Sequence, residues 1–199
     1  MESIDRPTIQ RSATDLIDEV KLQSAHSAAE RLAHFGGAEV AAVLARLAPG
    51  FAQEILAELP PETRERALAA APGEYSRQWQ RNSLYAEGTI GRMMEPVYAE
   101  FPPQATVGQV IDALRELVKH AFITYIYIVD EEERLLGIAT MRDLLFNDND
   151  RPLRDVMLSD VFALHAPTKL EEAMKQVLDR HYPVYPVVDA ENRLRGLLR

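Results

Sequence analysis

From Ala38 onward apolar positions recur at three- and four-residue spacing: Val40, Val43, Leu44 and Leu47 mark one helix, Pro49 and Gly50 interrupt it, and Phe51, Ile55, Leu56 and Leu59 mark the next. The interruption itself repeats. Leu47-Ala48-Pro49 returns 12 residues later as Leu59-Pro60-Pro61, and Ala70-Ala71-Pro72 is a degenerate third copy. So short a period predicts helices of about two turns, each burying one apolar face against its neighbours, in an array from Ala25 to Arg81. Residues 1–24 are polar and mixed in charge and read as a loosely held arm, with a helix start at Ser12 or Thr14 ahead of Leu16, Ile17 and Val20.

A longer repeat follows. Ile90-Gly91-Arg92-Met93-Met94 is echoed 63 residues later by Leu153-Arg154-Asp155-Val156-Met157. Val129-Asp130 with Leu135 and Gly137 is echoed 59 residues later by Val188-Asp189 with Leu194 and Gly196, so the first copy carries an insertion of four residues. Each copy has a short apolar segment, a helix opened by a capping box, a β-rich run and an Asp-led turn into a further strand. The boxes are Thr106–Gln109 and Thr168–Glu171, and the β-rich runs are Phe122–Val129 and Tyr182–Val188. The fold class expected is α+β: a small all-α domain over 25–84, then two β-α-β-β-α units over 85–150 and 151–199, the second incomplete at its C-terminal end.

Composition removes several chemistries. The chain has 199 residues, 47% hydrophobic and 27% charged, as expected of a globular fold. With no cysteine, disulfides, thiolate zinc sites and iron–sulfur clusters are excluded. A net charge of −9 disfavours nucleic acid as a partner and leaves hard cations as plausible ones. The longest strongly apolar stretch, Phe122–Val129, falls far short of the roughly 20 residues of a membrane helix, so a soluble chain is expected.

The paired units, with their Tyr-Ile-Tyr-Ile-Val-Asp run over 125–130 and Gly-Ile-Ala-Thr-Met-Arg-Asp over 137–143, resemble a tandem pair of CBS domains. The Leu-Pro-Pro elements and the junction Tyr85-Ala86-Glu87-Gly88-Thr89-Ile90-Gly91-Arg92-Met93-Met94 are more narrowly similar to the cytosolic part of the MgtE family of magnesium transporters. The resemblance implies a superhelical N-terminal domain, a homodimer formed through the CBS helices, and a membrane-embedded transport domain elsewhere in the parent protein. It places the region at the cytoplasmic face of the inner membrane, as a non-enzymatic sensor that holds a closed gate when Mg²⁺ binds between acidic faces.

Carried over position by position, the resemblance assigns Glu171 and Asp179 to the metal. His181 and Lys169 stand where the family has acids. The alternative ligand is ATP or a related adenine nucleotide. In that reading Asp143 takes the ribose, Thr140 and Arg142 meet phosphate, and Tyr125 and Tyr182 flank the base. Bland roles compete: Thr-x-x-Asp is also an ordinary N-cap, Glu171 at a helix start is a capping-box glutamate, Asp179 is a solvated charge, and strand tyrosines are often core or cross-strand partners. The run Asp130–Glu133 reads as a solvated hairpin, Asp148, Asp150 and Asp155 as a linker, Met93, Met94 and Met157 as core, and Trp79 beside Tyr75 as packing at the end of the helical array.

Overall fold

The computed structural model describes residues 13–199, and the chain divides after Pro72 into two compact units. The first holds α1 (Ala13–Lys21), α2 (Ala25–Leu32), α3 (Gly37–Leu44), α4 (Pro49–Glu58) and α5 (Pro61–Ala70). The repeated prolines open helices: Pro49 and Pro61 are the first residues of α4 and α5, where a missing N–H costs nothing. The leucines ahead of them, Leu47 and Leu59, are buried. Helices pack with their second neighbours, α1 with α3, α2 with α4 and α3 with α5, as a helical array requires. The expected arm is corrected over its second half, because Leu16, Ile17 and Val20 of α1 are buried with the array. Residues 1–12 of that arm lie outside the described residues.

The second unit begins with α6 (Gly73–Asn82), which therefore does not close the helical array as Trp79 and Tyr75 suggest. Those rings do meet, with centroids 5.5 Å apart, and Trp79 is buried. The helix is anchored to strand and junction by amides: Gln78 Nε2 donates to the Arg195 carbonyl at 3.1 Å, and the fully buried Asn82 donates to the Met94 carbonyl at 2.8 Å.

Two copies of one motif follow. The first is β1 (Glu100–Phe101), α7 (Val107–Leu117), β2 (Ile126–Val129), β3 (Leu135–Ala139) and α8 (Met141–Leu145); the second is β4 (Leu164–His165), α9 (Leu170–Val177), β5 (Tyr185–Val188) and β6 (Leu194–Leu198). In each sheet the central strand pairs parallel with the first and antiparallel with the last. The strands are shorter than their apolar runs, starting at Ile126 and Tyr185. The helix in the first copy has 11 residues against 8 in the second, which accounts for most of the four-residue insertion.

The copies exchange their leading segments. Ile90 and Gly91 donate to the carbonyls of Thr168 and Ala166, each at 2.9 Å, while Leu153 and Arg154 donate to those of Ala105 and Pro103 at 2.8 and 3.0 Å. Ile90 and Met94 thus fill the second copy's core and Leu153 fills the first. Gly91 is required here, because a Cβ on it would strike the Tyr85 ring.

One capping box forms and one does not. Thr106 Oγ1 accepts from the Gln109 N–H, and Gln109 Oε1 accepts from the Thr106 N–H. In the second copy the N-cap is Lys169, whose side chain cannot accept, so the expected Thr168–Glu171 box is one residue out of register.

Candidate functional site

The two metal candidates lie at the two ends of α9. Glu171 stands exposed in the first turn of α9, and Asp179 is exposed just beyond the end of that helix. Among the described residues, no three His, Asp or Glu side chains gather in a way that could hold a metal ion. Magnesium keeps much of its water and often takes only one or two carboxylates from a protein. Glu171 and Asp179 stand eight residues apart, at opposite ends of α9, and belong to no closed donor set among the described residues.

Of the nucleotide candidates, Tyr125, Thr140 and Asp143 stand at one end of the first copy's β2–β3 ladder, and Tyr182 of the second copy is near Tyr125. Thr140 is the N-cap of α8. Asp143 Oδ2 accepts from the Thr140 N–H at 2.8 Å and from its Oγ1 at 2.7 Å, and the Asp143 N–H donates back to Oγ1 at 3.2 Å. The capping role is thus occupied by one carboxylate oxygen, and Oδ1 takes part in none of these bonds. Ile126 pairs with Ala139, so Tyr125 and Thr140 flank the same end of that ladder. Burial, then the nearby hydroxyls of Tyr182 and Tyr185, raise the Tyr125 hydroxyl above its ordinary value. Tyr182, half exposed, packs edge-on to Tyr185 with centroids 5.8 Å apart. Among the described residues Arg142 has no carboxylate within ion-pairing distance.

Beside Tyr125 is a small cavity that sequence reading missed. It is lined by Thr124, Tyr125 and Tyr127 from the first copy, Val184 and Arg199 from the second, and Phe122 at its rim. Tyr127 is 2% exposed, and among the described residues neither its hydroxyl nor the buried Oγ1 of Thr124 has a hydrogen-bond partner. Burial pushes the Tyr127 hydroxyl well above its ordinary value, so it stays protonated. The available signal was the two-residue spacing of Tyr125 and Tyr127, which puts both on one face of the strand.

A wider cleft, about 460 Å³, lies elsewhere, between Phe101–Gln104 and the turn at Asp130. That turn uses its own acid: Asp130 Oδ1 accepts from the N–H groups of Glu132 and Arg134 at 3.0 and 2.9 Å, as the solvated-hairpin reading expects. Asp189 does the same for Glu191 and Arg193. The two turns meet: Leu135 and Leu194 donate to the carbonyls of Asn192 and Glu133, and Arg195 bridges Asp189 and Glu133 at 2.7 and 2.5 Å.

Comparison with known proteins agrees with this architecture. The magnesium transporter MgtE of Thermus thermophilus is 33% identical over 151 residues, which are 75% of this chain and 31% of that protein. The chain spans about a third or less of the curated magnesium transporters it matches. A crystal structure of the cytosolic domain of the Mg²⁺ channel MgtE in complex with ATP superposes with a TM-score of 0.69 at 25% identity, covering 95% of this chain and 88% of that one. The soluble part of a magnesium transporter shares the fold, with a TM-score of 0.71 at 22% identity over 94% of this chain and 79% of that one. Among the described residues no helix is long and apolar enough to cross a membrane. The CBS domain model matches residues 90–149 and 153–199, more than half of the sequence, and the chain belongs to the CBS-domain family.

Proposed function

We propose that this chain is the regulatory region of an MgtE-type magnesium transporter, lying at the cytoplasmic face of the membrane and joined in the parent protein to a membrane-embedded transport domain. The observation that carries this reading is the span of the likeness, which takes in the helical unit as well as the CBS pair and covers 95% of this chain against the MgtE cytosolic domain. In this reading Mg²⁺ is the signal. Glu171 and Asp179 each present a carboxylate that repels other acids until a divalent cation neutralises them, so acidic surfaces close together when the ion is plentiful and separate when it is scarce. The region works as a homodimer, and the exposed Met174 and Leu178 on and beside α9 supply apolar surface for it. Small-angle scattering of the chain through a Mg²⁺ titration, with Ca²⁺ as the control cation, tests the proposal. Compaction that is specific to Mg²⁺ and lost in Glu171→Ala with Asp179→Ala supports it; an unchanged profile in wild type removes the ion response from these residues.

A second reading, adenine-nucleotide binding, has its own support in the convergence of Tyr125, Thr140 and Asp143 at one end of the β2–β3 ladder with Tyr182 beside them. Here Asp143 holds the ribose hydroxyls, Thr140 and Arg142 meet phosphate, and the tyrosines cover the base. Calorimetry with ATP on wild type and on an Asp143 variant tests it.

A further inference from the structure

We infer that the polar cleft between α6 and the CBS pair is a binding site for a small zwitterion, a free amino acid whose carboxylate meets Arg77 and Arg81 and whose ammonium group meets Glu100. The site shares no residue with the Mg²⁺ or nucleotide candidates and stands without either reading.

The cleft, about 230 Å³, has two unlike walls. One is α6, where Glu74, Arg77 and Arg81 follow at three- and four-residue spacing and so share a face of the helix. The other belongs to the CBS copies and carries Glu100 of β1 and Glu133 of the turn between β2 and β3, with Leu194 of β6 supplying apolar surface. Glu133 is fixed in place: its backbone holds the left-handed φ of 63°, its carbonyl accepts from Leu194, and its carboxylate is bridged by Arg195 at 2.5 Å. Arg81 is fixed too, because its Nη1 donates to the Arg195 carbonyl at 3.0 Å. That bond uses one of the five guanidinium N–H groups and leaves the charge without a carboxylate.

Glu100 and Arg77 line the same cleft, yet among the described residues neither side chain makes an ion pair or a hydrogen bond. The carboxylate is the less comfortable of the two. Lost hydration, then repulsion from the Glu133 carboxylate, raise the Glu100 carboxyl above its ordinary value, against the pull of Arg81 and Arg195. A positive group beside it relieves that repulsion. The arrangement of signs selects what can supply one: a simple cation drawn to the acids is repelled by Arg77 and Arg81, and a simple anion drawn to the arginines is repelled by Glu74, Glu100 and Glu133. A molecule that carries both charges a few atoms apart pairs with each wall at once, through the charge-assisted hydrogen bonds that are the stronger ones in proteins. The volume agrees, since clefts that take drug-sized ligands run from about 300 to 1,000 Å³ and this one is smaller. An amino acid held there ties α6 to β1 and to the turn at Glu133.

The test is calorimetry of the full chain with glycine, β-alanine and γ-aminobutyrate, which hold the two charges progressively further apart, and with acetate and ethylamine as single-charge controls. At least one of the zwitterions should bind at millimolar concentration, and neither control should match it. Arg77→Gln and Glu100→Gln should each weaken that binding by about 10- to 100-fold, the effect of losing one hydrogen bond to a charged group. Neither substitution removes a hydrogen bond or ion pair of the ligand-free chain, and Glu100→Gln relieves the repulsion with Glu133, so both variants should melt no lower than wild type. Failure of all three zwitterions to bind wild type overturns the inference. Acetate or ethylamine bound as tightly as the best zwitterion overturns it too, by making the cleft a site for a single charge. Binding that both variants retain in full also overturns it, by placing the ligand elsewhere on the chain.

Discussion

Met94 lies against Gly196 so closely that a Cβ built on the glycine would be 2.7 Å from the Met94 Cβ, and Met157 stands in the same relation to Gly137, its sulfur 2.7 Å from the Cβ that position lacks. All four belong to the long repeat, where Met94 matches Met157 and Gly137 matches Gly196, and the contact explains why they recur together. Each copy's leading segment crosses the last strand of the other copy, with Glu95 pairing to Leu197 and Leu158 to Ile138. The crossing needs a strand position with no side chain.

Gly196→Ala and Gly137→Ala should therefore each destabilise the second unit, by about 1–3 kcal/mol, the usual cost of forcing extra volume into a closed contact. Urea unfolding followed by Trp79 fluorescence reads this directly, since Trp79 belongs to the same unit. A midpoint unchanged by either substitution would mean that the leading segments yield without cost.

Asn82 ties α6 to the exchanged segment. Its amide donates to the Met94 carbonyl and its oxygen accepts from Gln78, all out of contact with water. Asn82→Ala removes both partners and leaves a buried carbonyl and a buried amide, a loss of about 1–3 kcal/mol. Hydrogen exchange should show α6 losing protection while the helices before Pro72 keep theirs.

Asp189 gives a pH dependence with a definite sign. Burial works against its charge, but the Arg193 amide, the Arg195 guanidinium and the Glu191 amide outweigh that and hold its carboxyl below the ordinary 3.8. A carboxyl lowered on folding contributes stability above its unfolded value, and the contribution fades as pH falls through the folded one. Wild type and Asp189→Asn should thus differ in urea midpoint at neutral pH and converge as pH falls below the ordinary 3.8. A gap that stays constant into acid would show that the carboxylate's charge is not what matters.

The order of elements was legible because each carries a local signal: prolines at the helix starts, Asp-led turns after Val129 and Val188, and period-two runs of Ile, Val and Tyr. Exchange of the leading segments was not legible, because a repeat reports that two segments are alike and says nothing about which core each enters. The missed position of α6 has the same origin. Its apolar residues look like those of the preceding helices, while its attachment depends on amides at Gln78 and Asn82 that find carbonyls far away in sequence. The second capping box failed for a different reason, since Thr168 sits one residue before the cap that the repeat aligns with Thr106. The candidate nucleotide residues stood in a recognisable motif, but the buried hydroxyls of Tyr127 and Thr124 are set apart only by lacking a partner among the described residues, which no sequence displays.

Asp143 is the position where cap and ligand can be separated. One carboxylate oxygen satisfies the Thr140 N–H and hydroxyl, and an asparagine oxygen in the same place accepts the same two bonds. Asp143→Asn should accordingly leave the stability and melting temperature nearly unchanged, whereas Asp143→Ala should reduce stability by the roughly 1 kcal/mol that a lost cap costs and lower the melting temperature with it. The charge and one acceptor that a ribose would use are gone from both variants. If the nucleotide reading holds, ATP affinity falls in both by about 10- to 100-fold, the range for a hydrogen bond to a charged group. ATP bound equally well by Asp143→Asn and wild type, with only Asp143→Ala impaired, would reduce this residue to its cap and return the motif to a structural role.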